Sequence, residues 1–128
     1  MNLQRLWWAI GAALVVAAIV VCLMPMDQIV TPLNWTDKAN HLAGHGILAL
    51  YFSGLVPRRS WWKIFAGLLL MGIGIEFAQA SMTMGRAGDP RDVVANAAGA
   101  VLGLAAGWLG LARWPEFAAW LLGRRAAQ

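Results

Sequence analysis

The stretch DVVANAAGAVLGLAAG (Asp92–Gly107) decides the fold, because a polar start leads into a long apolar run that carries a regular stripe of small residues. At about 100° per residue, one side of a helix carries Asp92, Asn96, Gly99, Gly103 and Gly107. Small residues four apart allow two helix backbones to approach closely inside a membrane. We therefore predict that this side is a helix–helix contact face, and that Asp92 and Asn96 point into a bundle and away from lipid.

The rest of the chain is similarly apolar. Of its 128 residues, 60% are hydrophobic and 12% are charged, which is far from the composition of a soluble domain. Four segments approach or exceed the roughly 20 helical residues that cross a hydrocarbon core of about 30 Å. The predicted spans cover residues 6–26, 39–57, 62–84 and 91–112. Because four such helices leave no polar face for water, we expect an all-α integral membrane bundle of four transmembrane helices in one domain, residues 1–128.

The basic residues indicate the orientation of this bundle. Seven Lys and Arg residues lie beside one set of span ends and three beside the other. The positive-inside rule then places both termini and the turn PRRSWWK (Pro57–Lys63) in the cytoplasm. The net charge of +4 is thus a topology signal, and we expect no nucleic-acid partner. The C-terminal residues 114–123 have the pattern of a short amphipathic helix, which we expect to lie on the inner leaflet. Arg124 and Arg125 follow it and would face anionic lipid.

Polar residues concentrate at the outer ends of the predicted spans. The segment DKANHLAGH (Asp37–His45) opens the second span, and the polar part of IEFAQASMTMGRAGDPRDVVANAAG (Ile75–Gly99) closes the third and opens the fourth. Glu76 lies 13 residues beyond Lys63, about 20 Å along a helix, and therefore inside the hydrocarbon zone. A carboxylate at that depth needs a partner, and Arg86 is its natural cation. The sequence thus predicts a polar pocket that opens to the outside.

Several of these residues also have structural interpretations. Asp89 precedes Pro90 as an N-cap would, and Asp92 then stands at the capping-box position. Asp37 could cap the second span in the same way. Asn96 and Gln79 could join helices by hydrogen bonds, and Lys38 could extend to the interface. Glu76 and His41 have no equally simple structural role.

Metal and nucleophile signals are weak. His41 and His45 stand four residues apart, a spacing that suits two metal ligands, but no second motif accompanies them. Cys22 lies inside the first span, where packing is its usual role. No serine or cysteine nucleophile with an attendant base and no phosphate-cradling glycine loop is apparent. We therefore expect no metal and no cofactor.

The polar residues resemble the motifs of the VanZ-like family. Asp37, Lys38 and His41 match the opening of the second span in that family, and Glu76 and Gln79 match its Glu-x-x-Gln pair. The remaining matches are Arg86, Asp89, Asp92, Asn96 and Gly99. The chain departs from the pattern at His45, where such proteins often carry an aromatic residue. The resemblance implies a bacterial plasma-membrane protein linked to the cell envelope, because the family's namesake is associated with teicoplanin resistance, but it implies no reaction.

Three functions fit the sequence. In the first, the pocket binds an envelope lipid or a cell-wall precursor headgroup, with membrane lipids, a lipid-linked precursor or a glycopeptide as partner. In the second, the protein is an enzyme acting on such a lipid, with His41 as base or nucleophile, Glu76 as a second acid/base group and Asp92 or Asp37 orienting the histidine. In the third, the polar groups only tie the helices together. The candidate catalytic residues are His41, Glu76 and Asp92; the candidate ligand-binding residues are Asp37, Lys38, Gln79, Arg86, Asp89 and Asn96.

Overall fold

The computed structural model describes residues 2–25, 36–82 and 88–123, and within them every regular element is helical. The helices are α1 (Leu3–Leu23), α2 (Asp37–Ser53), α3 (Trp61–Ser81), α4 (Pro90–Trp108) and α5 (Trp114–Leu121). Short 3₁₀ turns at Arg58–Ser60 and Leu111–Arg113 precede α3 and α5. The all-α prediction is therefore confirmed, and the terminal residues Arg124 and Arg125 lie outside the described residues.

The helices end earlier than the sequence predicted. Helix α2 stops at Ser53, four residues before the predicted end of the second span, and Gly54 caps it. Helix α4 stops at Trp108 instead of residue 112, because Gly110 takes the left-handed conformation with φ of 116°. Only glycine adopts that conformation easily, so it breaks the helix before the Leu111–Arg113 turn.

Two helices are long and apolar enough to cross a membrane, namely Leu3–Leu23 and Arg58–Ser81, among the described residues. A third candidate arises if Pro90–Trp108 and Leu111–Leu121, which are bent by 75°, are counted as one broken span. Helix α2 has 17 residues, or about 26 Å, and carries polar side chains in its first turns. The chain is therefore a membrane protein with two or three candidate spans by length and composition.

Helices α2 and α4 pack backbone to backbone along the predicted glycine stripe. A Cβ atom at Gly99 would collide with the Leu42 carbonyl oxygen, and one at Gly103 would collide with the Gly46 carbonyl oxygen. At Gly107 it would stand 2.6 Å from Ser53 Oγ. The stripe is thus the contact face of α4, as predicted, and it brings the starts of α2 and α4 side by side.

The opposite end of the bundle is held by aromatic residues. Trp114 stacks on Tyr51 with ring centroids 4.7 Å apart, and its Nε1 donates to the Tyr51 carbonyl oxygen at 3.0 Å. Tyr51 Oη donates to the Trp7 carbonyl oxygen at 2.7 Å, which joins α1 to the end of α2. The guanidinium of Arg58 lies 4.3 Å from the Trp108 ring centroid. These contacts leave the polar ends of α2, α3 and α4 together at the other end.

Candidate functional site

Lys38 joins the starts of α2 and α4. Its Nζ lies 2.8 Å from Asp89 Oδ2 and 3.1 Å from Asp92 Oδ1. Lys38 is half-exposed, whereas the Asp92 side chain is 3% exposed. One cation therefore serves two carboxylates, the second of them buried.

Asp89 is the N-cap of α4. Its Oδ1 accepts a hydrogen bond from the Arg91 amide at 2.9 Å, and Pro90 occupies the first turn. The predicted cap is therefore confirmed, and the Lys38 ammonium is an additional partner of the same side chain. That hydrogen bond, followed by the one from the Arg91 amide, lowers the pKa of Asp89 below its ordinary value.

Two other capping interpretations are wrong. Asp92 does not receive the Asp89 amide, as a capping box requires, because that amide donates to Glu76 Oε2 at 2.7 Å. Helix α2 is capped by Thr36, whose Oγ1 accepts from the Ala39 amide at 3.3 Å, and Asp37 is the first helical residue. Threonine is a strong N-cap former, so Thr36 could have been recognised from the sequence. Neither Asp37 nor Asp92 is therefore the capping residue of its helix.

His41 occupies the centre of the site. Its Nδ1 lies 3.0 Å from Asn96 Oδ1, and the two side chains are 1% and 0% exposed. An amide oxygen only accepts, so His41 Nδ1 is the donor, and in the neutral ring Nε2 then carries the lone pair. Nε2 lies 3.8 Å from Asp92 Oδ2 and 3.9 Å from Asp37 Oδ2, beyond hydrogen-bonding distance. The histidine is thus held by one nitrogen and presents the other to two carboxylates.

Glu76 and Gln79 extend the site along α3. Glu76 is buried and accepts the Asp89 amide, so α3 is tied to the start of α4 by this bond; Arg86, its expected partner, lies outside the described residues. Gln79 Nε2 donates to the Cys22 carbonyl oxygen at 2.7 Å, which ties α3 to α1. Both residues point into the bundle.

His45 lies outside this cluster. Its Nδ1 donates to the His41 carbonyl oxygen at 3.1 Å, and its ring borders a cavity of about 250 Å³ between α1 and α2. The two histidines therefore do not converge as a metal pair. Instead, ligand atoms of Asp37, His41 and Asp92 all lie within 4.8 Å of one another.

Five buried side-chain atoms at this end have no hydrogen-bond partner among the described residues. They are His41 Nε2, His45 Nε2, Glu76 Oε1, Gln79 Oε1 and Asn96 Nδ2. Asn96 Nδ2 is a donor and Gln79 Oε1 is an acceptor; in the tautomers given above, both imidazole Nε2 atoms are acceptors as well. Buried polar groups are normally paired, so the four of these atoms that belong to the cluster, all except His45 Nε2, make it the candidate binding site.

The family model described as VanZ/LLP1 matches residues 7–111, which is most of the chain and includes every candidate site residue. No curated protein and no solved structure matches the chain.

Proposed function

The chain belongs to the VanZ/LLP1 family, and we propose that it is a four-span membrane protein whose outward-facing polar site binds the headgroup of an envelope lipid or lipid-linked cell-wall precursor. The observation that carries the proposal is the group of four unpartnered buried atoms in that cluster, namely His41 Nε2, Glu76 Oε1, Gln79 Oε1 and Asn96 Nδ2. A protein that only tied its helices together would have no reason to leave these atoms unpaired, because each costs about 1–3 kcal/mol.

The chemistry of these atoms selects the headgroup. Since acceptors outnumber donors, the complementary ligand presents hydroxyl or amine hydrogens, as a sugar, glycerol or ethanolamine headgroup does. At this end of the bundle, the acidic residues Asp37, Glu76, Asp89 and Asp92 outnumber the described basic residues Lys38 and Arg91, and Lys38 already meets two of the acids. The described residues thus favour a hydrogen-bond-donating headgroup over a purely anionic one.

A neighbouring cavity suits the apolar part of such a lipid. It measures about 260 Å³, lies between α3 and α4, and has Glu76 in its lining. Its other lining residues are apolar or glycine, namely Ile73, Phe77, Ala80, Gly88, Pro90 and Val93. An acyl or isoprenoid chain in this cavity would hold its headgroup beside the Glu76 carboxylate.

The four-span arrangement predicts an alternating labelling pattern. In a Cys22→Ala background, single cysteines at Thr36, Arg59, Arg91 and Leu109, all exposed, stand at successive ends of α2, α3 and α4. A membrane-impermeant maleimide should label positions 36 and 91 on intact cells, and positions 59 and 109 only after permeabilisation. Labelling of 36 and 59 from the same side would show that α2 does not cross the membrane.

Headgroup binding is tested by native mass spectrometry of the purified protein with added lipids. Phosphatidylethanolamine and phosphatidylglycerol, which carry donors, should bind about tenfold more than phosphatidylcholine, which carries none on its headgroup. Gln79→Leu, which removes one open acceptor, should reduce that binding by about tenfold. The control is Glu116→Ala at the opposite end of the bundle, where Glu116 pairs with Arg113 at 3.0 Å, and it should bind like the wild type.

Equal binding of all three lipids, or equal binding by Gln79→Leu and the wild type, would contradict the headgroup proposal. A purely structural cluster predicts a different outcome, in which Gln79→Leu lowers yield and stability while lipid binding per folded molecule is unchanged.

One observation favours an enzyme as the second candidate. His41 is oriented by Asn96 and presents Nε2 beside two carboxylates, as a general base would be. An enzyme would return a chemically altered lipid after incubation, and His41→Ala would abolish that conversion. A binding protein would return the lipid unchanged.

A further inference from the structure

We infer that Asp37, His41 and Asp92 form a binding site for one divalent transition-metal ion. The ligands would be His41 Nε2 and one carboxylate oxygen from each aspartate. This site lies at the start of α2 and α4, in the part of the cluster that the Lys38 ammonium does not reach directly.

The first argument is the convergence of three acceptors. His41 Nε2 faces Asp92 Oδ2 at 3.8 Å and Asp37 Oδ2 at 3.9 Å, and no hydrogen stands between them when Nδ1 is the protonated nitrogen. His41 is 1% exposed and its Nε2 has no partner among the described residues. An imidazole lone pair and two carboxylate oxygens this close repel one another, and a cation among them would attract all three.

The distances are close to those of a coordinated ion. Bonds of about 2.0–2.2 Å in a tetrahedral site place ligand atoms about 3.3–3.6 Å apart. The two separations from His41 Nε2, 3.8 Å and 3.9 Å, exceed this by a few tenths of an ångström, which a small rotation of each carboxylate closes. All three ligand atoms lie within 4.8 Å of one another.

Neighbouring residues orient the proposed ligands through hydrogen bonds. Asn96 accepts the Nδ1 hydrogen of His41, which fixes the tautomer that leaves Nε2 free to bind metal. Lys38 holds Asp92 through Oδ1 and so leaves Oδ2 directed at the histidine. These two contacts orient ligands from both α2 and α4 before any ion arrives.

Charge and ligand type indicate the ion. A cation between the three ligand atoms would attract the carboxylate oxygens of Asp37 and Asp92 that face His41 Nε2. A histidine ligand favours zinc, manganese or iron over magnesium and calcium, which prefer oxygen. Three protein ligands also leave a coordination position open for a headgroup oxygen or for water.

The inference shares His41 Nε2 with the headgroup proposal, but it is tested separately from it. Glu76 Oε1, Gln79 Oε1 and Asn96 Nδ2 stay open whether or not the ion is present. Metal binding is measured here without lipid, so either proposal can fail alone.

The test uses the tag-free protein in detergent, stripped with a chelator and titrated with Co²⁺, whose visible absorption reports its ligands. We expect saturation at one ion per chain and affinity at least about tenfold above that for Mg²⁺. His41→Ala and Asp92→Asn should each weaken Co²⁺ binding by about a hundredfold or more, and Asp37→Asn by at least about tenfold. Absence of saturable Co²⁺ binding to the wild type would overturn the inference.

The matched control is His45→Ala, which removes a buried histidine one helical turn away that hydrogen-bonds the main-chain carbonyl of His41 and not its imidazole. It should keep wild-type Co²⁺ affinity, and a loss equal to that of His41→Ala would overturn the site. If His41→Ala does not fold, the Co²⁺ affinity of Asp37→Asn tests the site instead. The Asp37 side chain is 30% exposed at the start of α2, so this substitution disturbs packing less. Unchanged Co²⁺ affinity in Asp37→Asn would then contradict the proposed ligand set.

Discussion

Replacing Gly103 with leucine should destabilise the bundle by about 3 kcal/mol or more, the largest stability loss expected from a single substitution here. Even a Cβ atom at this position would collide with the Gly46 carbonyl oxygen and stand 2.9 Å from Ala49 Cβ. Backbone cannot rotate away as a side chain can, so α2 and α4 must separate. Thermal unfolding in detergent measures the loss.

Gly74→Leu is the matched control for this prediction. Gly74 lies on α3, faces outward, and has no atom within 4 Å of an added Cβ. Its replacement should leave the unfolding temperature unchanged or raise it slightly, since glycine is a poor helix former. Similar stability of the two variants would show that the α2–α4 contact is looser than the structure has it.

The second large effect is expected at Asn96. Asn96→Leu removes the acceptor of the His41 Nδ1 hydrogen at a position that is 0% exposed. An unpaired buried donor costs about 1–3 kcal/mol, so the unfolding temperature should fall. The imidazole should also lose its fixed tautomer, which ¹⁵N chemical shifts of the His41 ring would record.

Asn40→Leu serves as the comparison for Asn96→Leu. Asn40 lies on the same helix as His41 but borders the cavity between α1 and α2. Its replacement should leave the His41 ring resonances unchanged. Identical spectra for the wild type and Asn96→Leu would show that Asn96 does not hold the ring.

The prediction of the glycine stripe succeeded because it depends on local geometry alone. Residues four apart share a helix face whatever the rest of the chain does. Glycines on such a face offer no side chain to lipid, but they allow a second helix backbone to approach closely. Asp92 was harder to interpret, because a carboxylate three residues after an N-cap usually accepts a hydrogen bond from the backbone amide of the N-cap residue. The Glu76 carboxylate, 13 residues before Asp89, takes that amide instead. Sequence spacing could not reveal this competition.

The sequence by itself determined the helical class, the membrane setting and the end of the bundle where polar residues gather, because composition and periodicity act within one segment at a time. The tertiary structure alone decided the partners. It turned His45 away from His41, brought Asp92 beside Asp37, and gave Lys38 to Asp89 and Asp92. Those pairings depend on how closely α2 and α4 approach, and that distance is set where the glycines of one helix meet the backbone of the other.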